Sequence, residues 1–283
     1  MASWKIGDVT IHRIPEILAP IDPTMLIPDA TPDNLRPMHA WLKPHFLNDD
    51  NTIPLSIHAF LIEAHGARIL VDTCIGNDKP RANPHWNLRQ GDFLQQLEQL
   101  AAPRDSVDFV LCTHLHVDHV GWNTMLEGGK WVPTFPRARY LFGRKEWEFW
   151  ENETDPFGPQ AKSDSILPII ESGQVDLIET DHVVSENVRL LPTPGHTPGH
   201  VSVSIESNGE RAIITGDMVH HPLQFGRPFW RDIADVDGDR AAQTRVKFME
   251  DFNGSTLILG THFALPTAGH LVRDGEHYRF EVV

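Results

Sequence analysis

The segment Thr113-His114-Leu115-His116-Val117-Asp118-His119 constrains this chain more than any other. It places three histidines and an aspartate within six residues, directly after the apolar run VDFVLC and just before Gly121. Neutral imidazole and carboxylate are the donors that zinc, iron or manganese accept. In an extended segment, side chains at i, i+2 and i+4 share a face. That spacing predicts His114, His116 and Asp118 together, with His119 pointing elsewhere unless the chain turns. Such a division suits donors for two ions rather than one. The chain holds 17 histidines, so the positions of the others matter.

Three further residues complete a donor set. His196 lies in Pro194-Gly195-His196-Thr197-Pro198-Gly199, a rigid turn after VRLLPT; Asp217 ends AIITGD; His262 ends LILGTH. All four donor segments fall just past the C-terminal end of a short apolar strand. Strand ends of this kind can converge on one rim, with function carried by loops on a rigid frame. His12, His39, His45, His58, His85, His182 and His270 belong to no motif, and His200 reads as a prop for the GHTPGH turn.

The rest of the pattern is strand-rich. WKIGDVTIHRI reads as one or two strands, and SIHAFLIEA and ARILVDT as two strands joined at His65-Gly66. DFLQQLEQLAA sets Phe93, Leu94, Leu97, Leu100 and Ala101 on one helical face. A helix is expected over residues 143–153 and another in DRAAQTRVKFMEDF, with Ala242, Val246, Met249 and Phe252 inward. VDLIET, VRLLPT, VSVSIES, RAIITGD, TLILGTH and HYRFEVV are further strand candidates. Strands, then a helix and a strand, recur in the second half. The expected class is α+β, an αββα sandwich of two mixed sheets with helices on the outer faces. Residues 1–283 read as one domain, with 18–50 a Pro-rich irregular extension placed near the active site.

Composition narrows the partners. The formal net charge is −15 and no basic stripe is visible, which disfavours nucleic acid. No apolar run approaches the ~18 residues of a membrane span, and the start lacks a basic segment followed by an apolar one. A cytoplasmic location with no membrane partner is the expectation. Cys74 and Cys112 end apolar runs and read as buried free thiols.

Taken in order over roughly residues 50–265, HLHVDH, the histidine of GHTPGH, the aspartate of TGD and the histidine of GTH resemble the metallo-β-lactamase superfamily. Val71-Asp72-Thr73 matches a family aspartate that supports the ligands. The resemblance implies that His114, His116 and His196 hold one metal, that Asp118, His119 and His262 hold a second, and that Asp217 bridges them. It implies two divalent ions, zinc first, with iron, manganese or cobalt as alternatives. Asp72 would fix the tautomer of a ligand histidine. A hydroxide between the ions would attack a carbonyl or phosphoryl centre, with Asp118 orienting it and passing its proton to the leaving group.

A bridging aspartate resembles the dinuclear hydrolases, which include glyoxalase II, N-acyl-homoserine lactonases and methyl parathion hydrolase. It speaks against β-lactam hydrolysis. The segment from Gly216 to Phe225 is most similar to the last two branches. In the lactonases a tyrosine three residues past the bridging aspartate contacts the substrate oxygen; here that place belongs to His220, which is expected to act on the substrate. Phe225, Phe229 and Trp230 follow it and are expected to wall the pocket. The implied reaction is hydrolysis of a neutral ester-type bond, in a lactone, a carboxylic ester or an organophosphate triester. The substrate is expected to be small, uncharged and partly hydrophobic, and a homodimer is among the expected states. The alternatives are a thioesterase of the glyoxalase II type and a mononuclear iron dioxygenase on a thiol compound.

Overall fold

The computed structural model describes residues 2–152 and 161–283. Its chain forms two compact units, Met1–Glu16 with Ile57–Thr180, and Ile17–Ser56 with Asp181–Val283. The boundary between them falls inside two long strands, β2 (Val9–Ile21) and β3 (Ile53–Ala64).

The first unit is built on a seven-stranded sheet. Besides β2 and β3 it contains β1 (Ser3–Ile6), β4 (Ala67–Val71), β5 (Phe109–Leu111), β8 (Arg139–Gly143) and β9 (Val175–Ile178). The order is β1-β2-β3-β4-β5-β8-β9. The sheet is mixed, since β3 and β4 form an antiparallel hairpin whereas β4, β5, β8 and β9 run parallel. The hairpin turns at His65 and Gly66, both in the left-handed region, where glycine is at home and an L-residue is tolerated singly. Ala59 through Ile62 are buried without alternation, the pattern of a strand covered on both faces. A separate two-stranded ribbon, β6 (Thr124–Glu127) and β7 (Lys130–Pro133), was not expected from the sequence; it turns at Gly128-Gly129. Lys79 fastens this region. It is fully buried, donates to Thr124 Oγ1 at 2.7 Å and lies 3.8 Å over the Trp131 ring. Burial drives its pKa down to about 7, against the pull of Asp164.

The second unit carries a six-stranded sheet in the order β10 (Val188–Pro192), β11 (Val201–Ser207), β12 (Glu210–Ile214), β13 (Leu257–Leu259), β14 (Ala268–Asp274) and β15 (His277–Val282). Only the β12–β13 pair is parallel, and the helix Gly238–Phe252 lies in the connection between those strands. Asp237 caps that helix by accepting the Arg240 N–H at 2.9 Å. Its buried face contains Ala241, Ala242, Arg245, Phe248 and Met249. The expected face had Val246 and Phe252 inward; both are only partly buried. The inward stripe is shifted because a buried arginine interrupts it, and an arginine reads as polar in the sequence.

Residues 18–50 differ from the expected irregular extension. Leu18–Ile21 finish β2, and the remainder makes short helical turns, most of whose apolar groups enter the core of the second unit while Met25 stays exposed. Ile27, Leu35, Leu42 and Phe46 are fully buried there beside Phe225, Phe263 and Phe280. Each such side chain contributes about 1.5–3 kcal/mol on burial, so this segment belongs to the hydrophobic interior. The helix expected over 143–153 spans Arg144–Asn152, and residue 153 lies outside the described residues.

Candidate metal centre

In the first unit the donors follow β5. Asp72 and Cys74 both have positive φ, so the chain kinks sharply after β4. The kink turns the Asp72 carboxylate toward the next segment. Its Oδ1 accepts the Thr113 N–H at 2.8 Å, its Oδ2 accepts the Thr113 hydroxyl at 2.9 Å, and Oδ2 faces His119 Nδ1 at 3.0 Å. A carboxylate on Nδ1 favours the proton there and leaves the lone pair on Nε2. Thr113 Oγ1 in turn lies 3.1 Å from His114 Nδ1. One aspartate therefore orients two of the candidate donors.

The donor string is not extended. The His119 N–H donates to the His116 carbonyl at 3.1 Å, and this turn brings the His119 ring within 4.0 Å of the His114 ring. The expected alternation of faces is thus replaced by a compact loop. Gly121 makes the loop possible: a Cβ there would lie 1.9 Å from the Ile75 carbonyl oxygen. His114 Nε2 and His116 Nδ1 are 2.9 Å apart, and His119 Nε2 is 3.7 Å from Asp118 Oδ1. His114 and His119 are buried, and the Asp118 side chain keeps 16% of its exposure. Beneath His116 the Trp150 ring stands edge-on at 5.2 Å, its indole N–H held by buried Glu146 at 2.6 Å.

In the second unit three strands deliver donors to one carboxylate. Asp217 follows β12, His196 follows β10 and His262 follows β13. The Asp217 carboxylate lies 3.1 Å from His262 Nε2, 3.1 Å from His220 Nε2 and 3.6 Å from His196 Nε2. Behind them, His196 Nδ1 meets Asp235 at 3.2 Å and His262 Nδ1 meets the Ser56 carbonyl at 2.8 Å. His220 Nδ1 faces Asp232 Oδ2 at 3.4 Å. Burial would lower the His220 pKa, but Asp232 and Asp217 outweigh it and hold it at about 9. The ligand atoms of His196, His220 and Asp232 lie within 4.8 Å of one another. Adjacent His221 is the opposite case: burial takes its pKa down to about 3, and its ring bonds the Phe46 carbonyl at 2.8 Å.

The backbone around Asp217 is equally determined. The Asp217 N–H donates to His200 Nε2 at 2.8 Å, so His200 props this residue and thereby the turn. Gly216 sits at φ +56 with the place of its missing Cβ 2.5 Å from that nitrogen; any side chain would collide with the prop. Arg245, fully buried, bonds the carbonyls of Pro228 (2.8 Å), Met218 (3.3 Å) and Trp230 (3.3 Å) and reaches Asp235 at 3.5 Å. The sequence reading missed Asp232, Asp235 and Arg245. No periodicity marks them; the available signal is that buried ligand histidines need an oxygen on the second ring nitrogen, and two aspartates follow the aromatic loop within a few residues.

The aromatic loop divides. Phe225 is fully buried, stacked on Phe280 at 5.9 Å and edge-on to Phe263 at 6.1 Å, so it is a core side chain and not a pocket wall. Trp230 is partly buried against the same core. Phe229 is 69% exposed.

Imidazole nitrogens and carboxylate oxygens, buried, close together and individually oriented, are the donor chemistry of a divalent transition ion. Neither half carries the thiolates of a structural zinc site; Cys74 and Cys112 are buried, and burial raises both thiols.

Comparison with known proteins agrees with this chemistry. The N-acyl homoserine lactonase of Bacillus cereus is 27% identical over 177 residues, 57% of this chain and 62% of that protein. The match thus spans less than two thirds of the relative's length. Among solved structures, the hydrolase AbOPH in the beta-lactamase superfamily superposes with a TM-score of 0.81 at 26% identity, covering 99% of this chain and 96% of that one. AidC, a dizinc quorum-quenching lactonase, shares the fold with a TM-score of 0.80 at 18% identity over 100% and 97% of the two chains. The family profile itself matches residues 52–262, a span that holds every donor described above. With mixed sheets, helices and this match, the α+β chain belongs to the metallo-beta-lactamase superfamily.

Proposed function

We propose that this protein is a metal-dependent hydrolase that cleaves a neutral ester-type bond, with lactones as the first substrate class and carboxylic esters and organophosphate triesters beside them. The observation that carries the reading is the Asp217 carboxylate, set among imidazoles from separate strand ends. A carboxylate so placed suits a shared ligand. On the family membership, we assign His114, His116 and His196 to one divalent ion, zinc in the first instance, Asp118, His119 and His262 to a second, and Asp217 to both. The names of the curated relatives support the lactone class.

Divalent ions in such a centre supply Lewis acidity and a nucleophile at neutral pH. The chain's own residues do the rest. Asp72 keeps His119 and, through Thr113, His114 in fixed orientations, so the ligands lose little freedom on binding. Asp118 is the carboxylate among these donors that keeps partial solvent exposure, 16% of its side chain. It is therefore the group able to orient the nucleophile and to carry its proton to the leaving oxygen. Phe229 offers an exposed apolar ring for an uncharged substrate, and the net charge of −15 disfavours anionic ones.

The test is a panel of lactones, aryl esters, phosphotriesters and thioesters, run on protein of measured metal content. Two ions per chain and turnover of the lactones or oxygen esters are expected. Turnover confined to thioesters, or no turnover with both ions loaded, overturns the substrate class. A single iron with oxygen uptake on a thiol compound overturns the hydrolase.

A further inference from the structure

The histidines around Asp217 share one construction. His196 holds Nδ1 on a carboxylate oxygen of Asp235 (3.2 Å) and turns Nε2 toward Asp217 (3.6 Å). His262 holds Nδ1 on the Ser56 carbonyl (2.8 Å) and turns Nε2 toward Asp217 (3.1 Å). His220 repeats the pattern, with Nδ1 on Asp232 (3.4 Å) and Nε2 toward Asp217 (3.1 Å). Its ring lies parallel to that of His262, 3° between planes at 5.6 Å, and 4.8 Å from that of His196. Its Nδ1 differs from the other two in making no hydrogen bond, with Asp232 as its ion-pair neighbour.

Burial strengthens the point. His220 retains 4% of its exposure and Asp232 also 4%. A group that meets substrate needs a face open to it. A buried imidazole backed by a buried carboxylate is instead the arrangement that fixes a metal ligand, with the proton on one nitrogen and the lone pair on the other. Neither His220 Nδ1 nor Asp232 Oδ2 makes a hydrogen bond in the described structure, and the two buried atoms face each other at 3.4 Å. The loop that brings Asp232 there is fastened for the purpose: the Asp232 N–H donates to Asp235 Oδ2 at 3.2 Å, Asp232 Oδ1 accepts the Ala234 N–H at 2.8 Å, and the His220 N–H donates to Gln224 at 2.8 Å.

We infer that His220 is an additional metal ligand, through Nε2, and that Asp232 is the positioning residue that orients it. This rests on the dinuclear reading above, and replaces the substrate-contacting role that the sequence resemblance implies for His220.

The experiment compares three variants with the wild type: His220→Gln, Asp232→Asn and His262→Gln. Each is titrated with cobalt(II) and zinc against a chelator, and the visible spectrum of the cobalt form is recorded. His220→Gln is expected to weaken one ion by 100-fold or more and to alter the cobalt bands. Asp232→Asn keeps the ring in place and is expected to weaken the same ion by about 10- to 100-fold, with a smaller spectral change. If His220→Gln binds both ions with wild-type affinity and spectrum while His262→Gln does not, the inference is overturned and the dinuclear reading stands. If no variant changes metal binding, the dinuclear reading falls as well. A KM increase in His220→Gln with unchanged metal binding assigns the ring to substrate and also overturns the inference. Asp232→Asn guards against a misfolded glutamine variant, because it alters no ring and little volume.

Discussion

The two donor regions are built on opposite plans. In the first unit, four donors sit on one short loop, and a single carboxylate, Asp72, reaches His119 directly and His114 through Thr113. In the second, the donors come from the ends of separate strands, and each histidine has its own oxygen partner: Asp235, Asp232 or the Ser56 carbonyl. The first plan concentrates control in one residue, so one substitution disturbs several ligands at once. The second distributes it over several oxygens, with Asp235 linking two of them by also accepting the Asp232 N–H.

The largest effect is expected at the first unit's carboxylate donor. Asp118→Asn removes the charge of a proposed ligand and the carboxylate assigned to carry the proton. With both ions loaded, kcat is expected to fall by about 100- to 10,000-fold while far-ultraviolet circular dichroism is unchanged. Near-full kcat at full loading takes Asp118 out of the chemistry.

The comparison itself is broken or sharpened by the backing carboxylates. Asp72→Asn is expected to weaken both ions, since His114 and His119 are assigned to different ones. Asp235→Asn is expected to weaken only the ion held by His196, in each case by about 10- to 100-fold. Stepwise chelator competition reads the two affinities. Loss of a single ion in Asp72→Asn, or of both in Asp235→Asn, contradicts the concentrated and distributed plans respectively.

The smallest effect belongs to the exposed ring. Phe229→Ala is expected to change unfolding free energy by no more than about 0.5 kcal/mol. KM for long-chain esters or lactones is expected to rise roughly five-fold, the equivalent of about 1 kcal/mol of apolar contact, with short substrates unaffected. Equal KM changes for both lengths remove Phe229 from substrate binding.

These plans also explain what the sequence disclosed. The first unit's donors are legible because their chemistry is local: HLHVDH states residue types and spacing in one string. His196, Asp217 and His262 are legible only because each ends an apolar strand and the family order links them. What the string did not disclose is its turn, since the hydrogen bond from His119 to His116 depends on Gly121 passing against Ile75. Asp232, Asp235 and Arg245 were invisible because their meaning is tertiary; in the sequence they are charged residues on a loop and a helix. Phe225 misled for the same reason. Its place after Asp217 suggested a pocket, but its contacts with Phe263 and Phe280 are decided by β13–β15. Among the strands, β8, β14 and the β6–β7 ribbon went unread; Arg139–Gly143 leads straight into a helix and KWVP offers four residues of pattern.

The Arg245 clamp gives position 229 an unusual freedom. The guanidinium grips the peptide carbonyls on both sides of it, at Pro228 and Trp230, while the side chain between them points outward. The path of the main chain is thus set by neighbours, and whatever residue stands at 229 inherits the same launching point. Mutations there are expected to be nearly silent for folding. Selection can explore sizes and polarities at that spot one codon at a time, so diverging catalytic repertoires among close descendants of this chain would be expected to show their first differences at that residue.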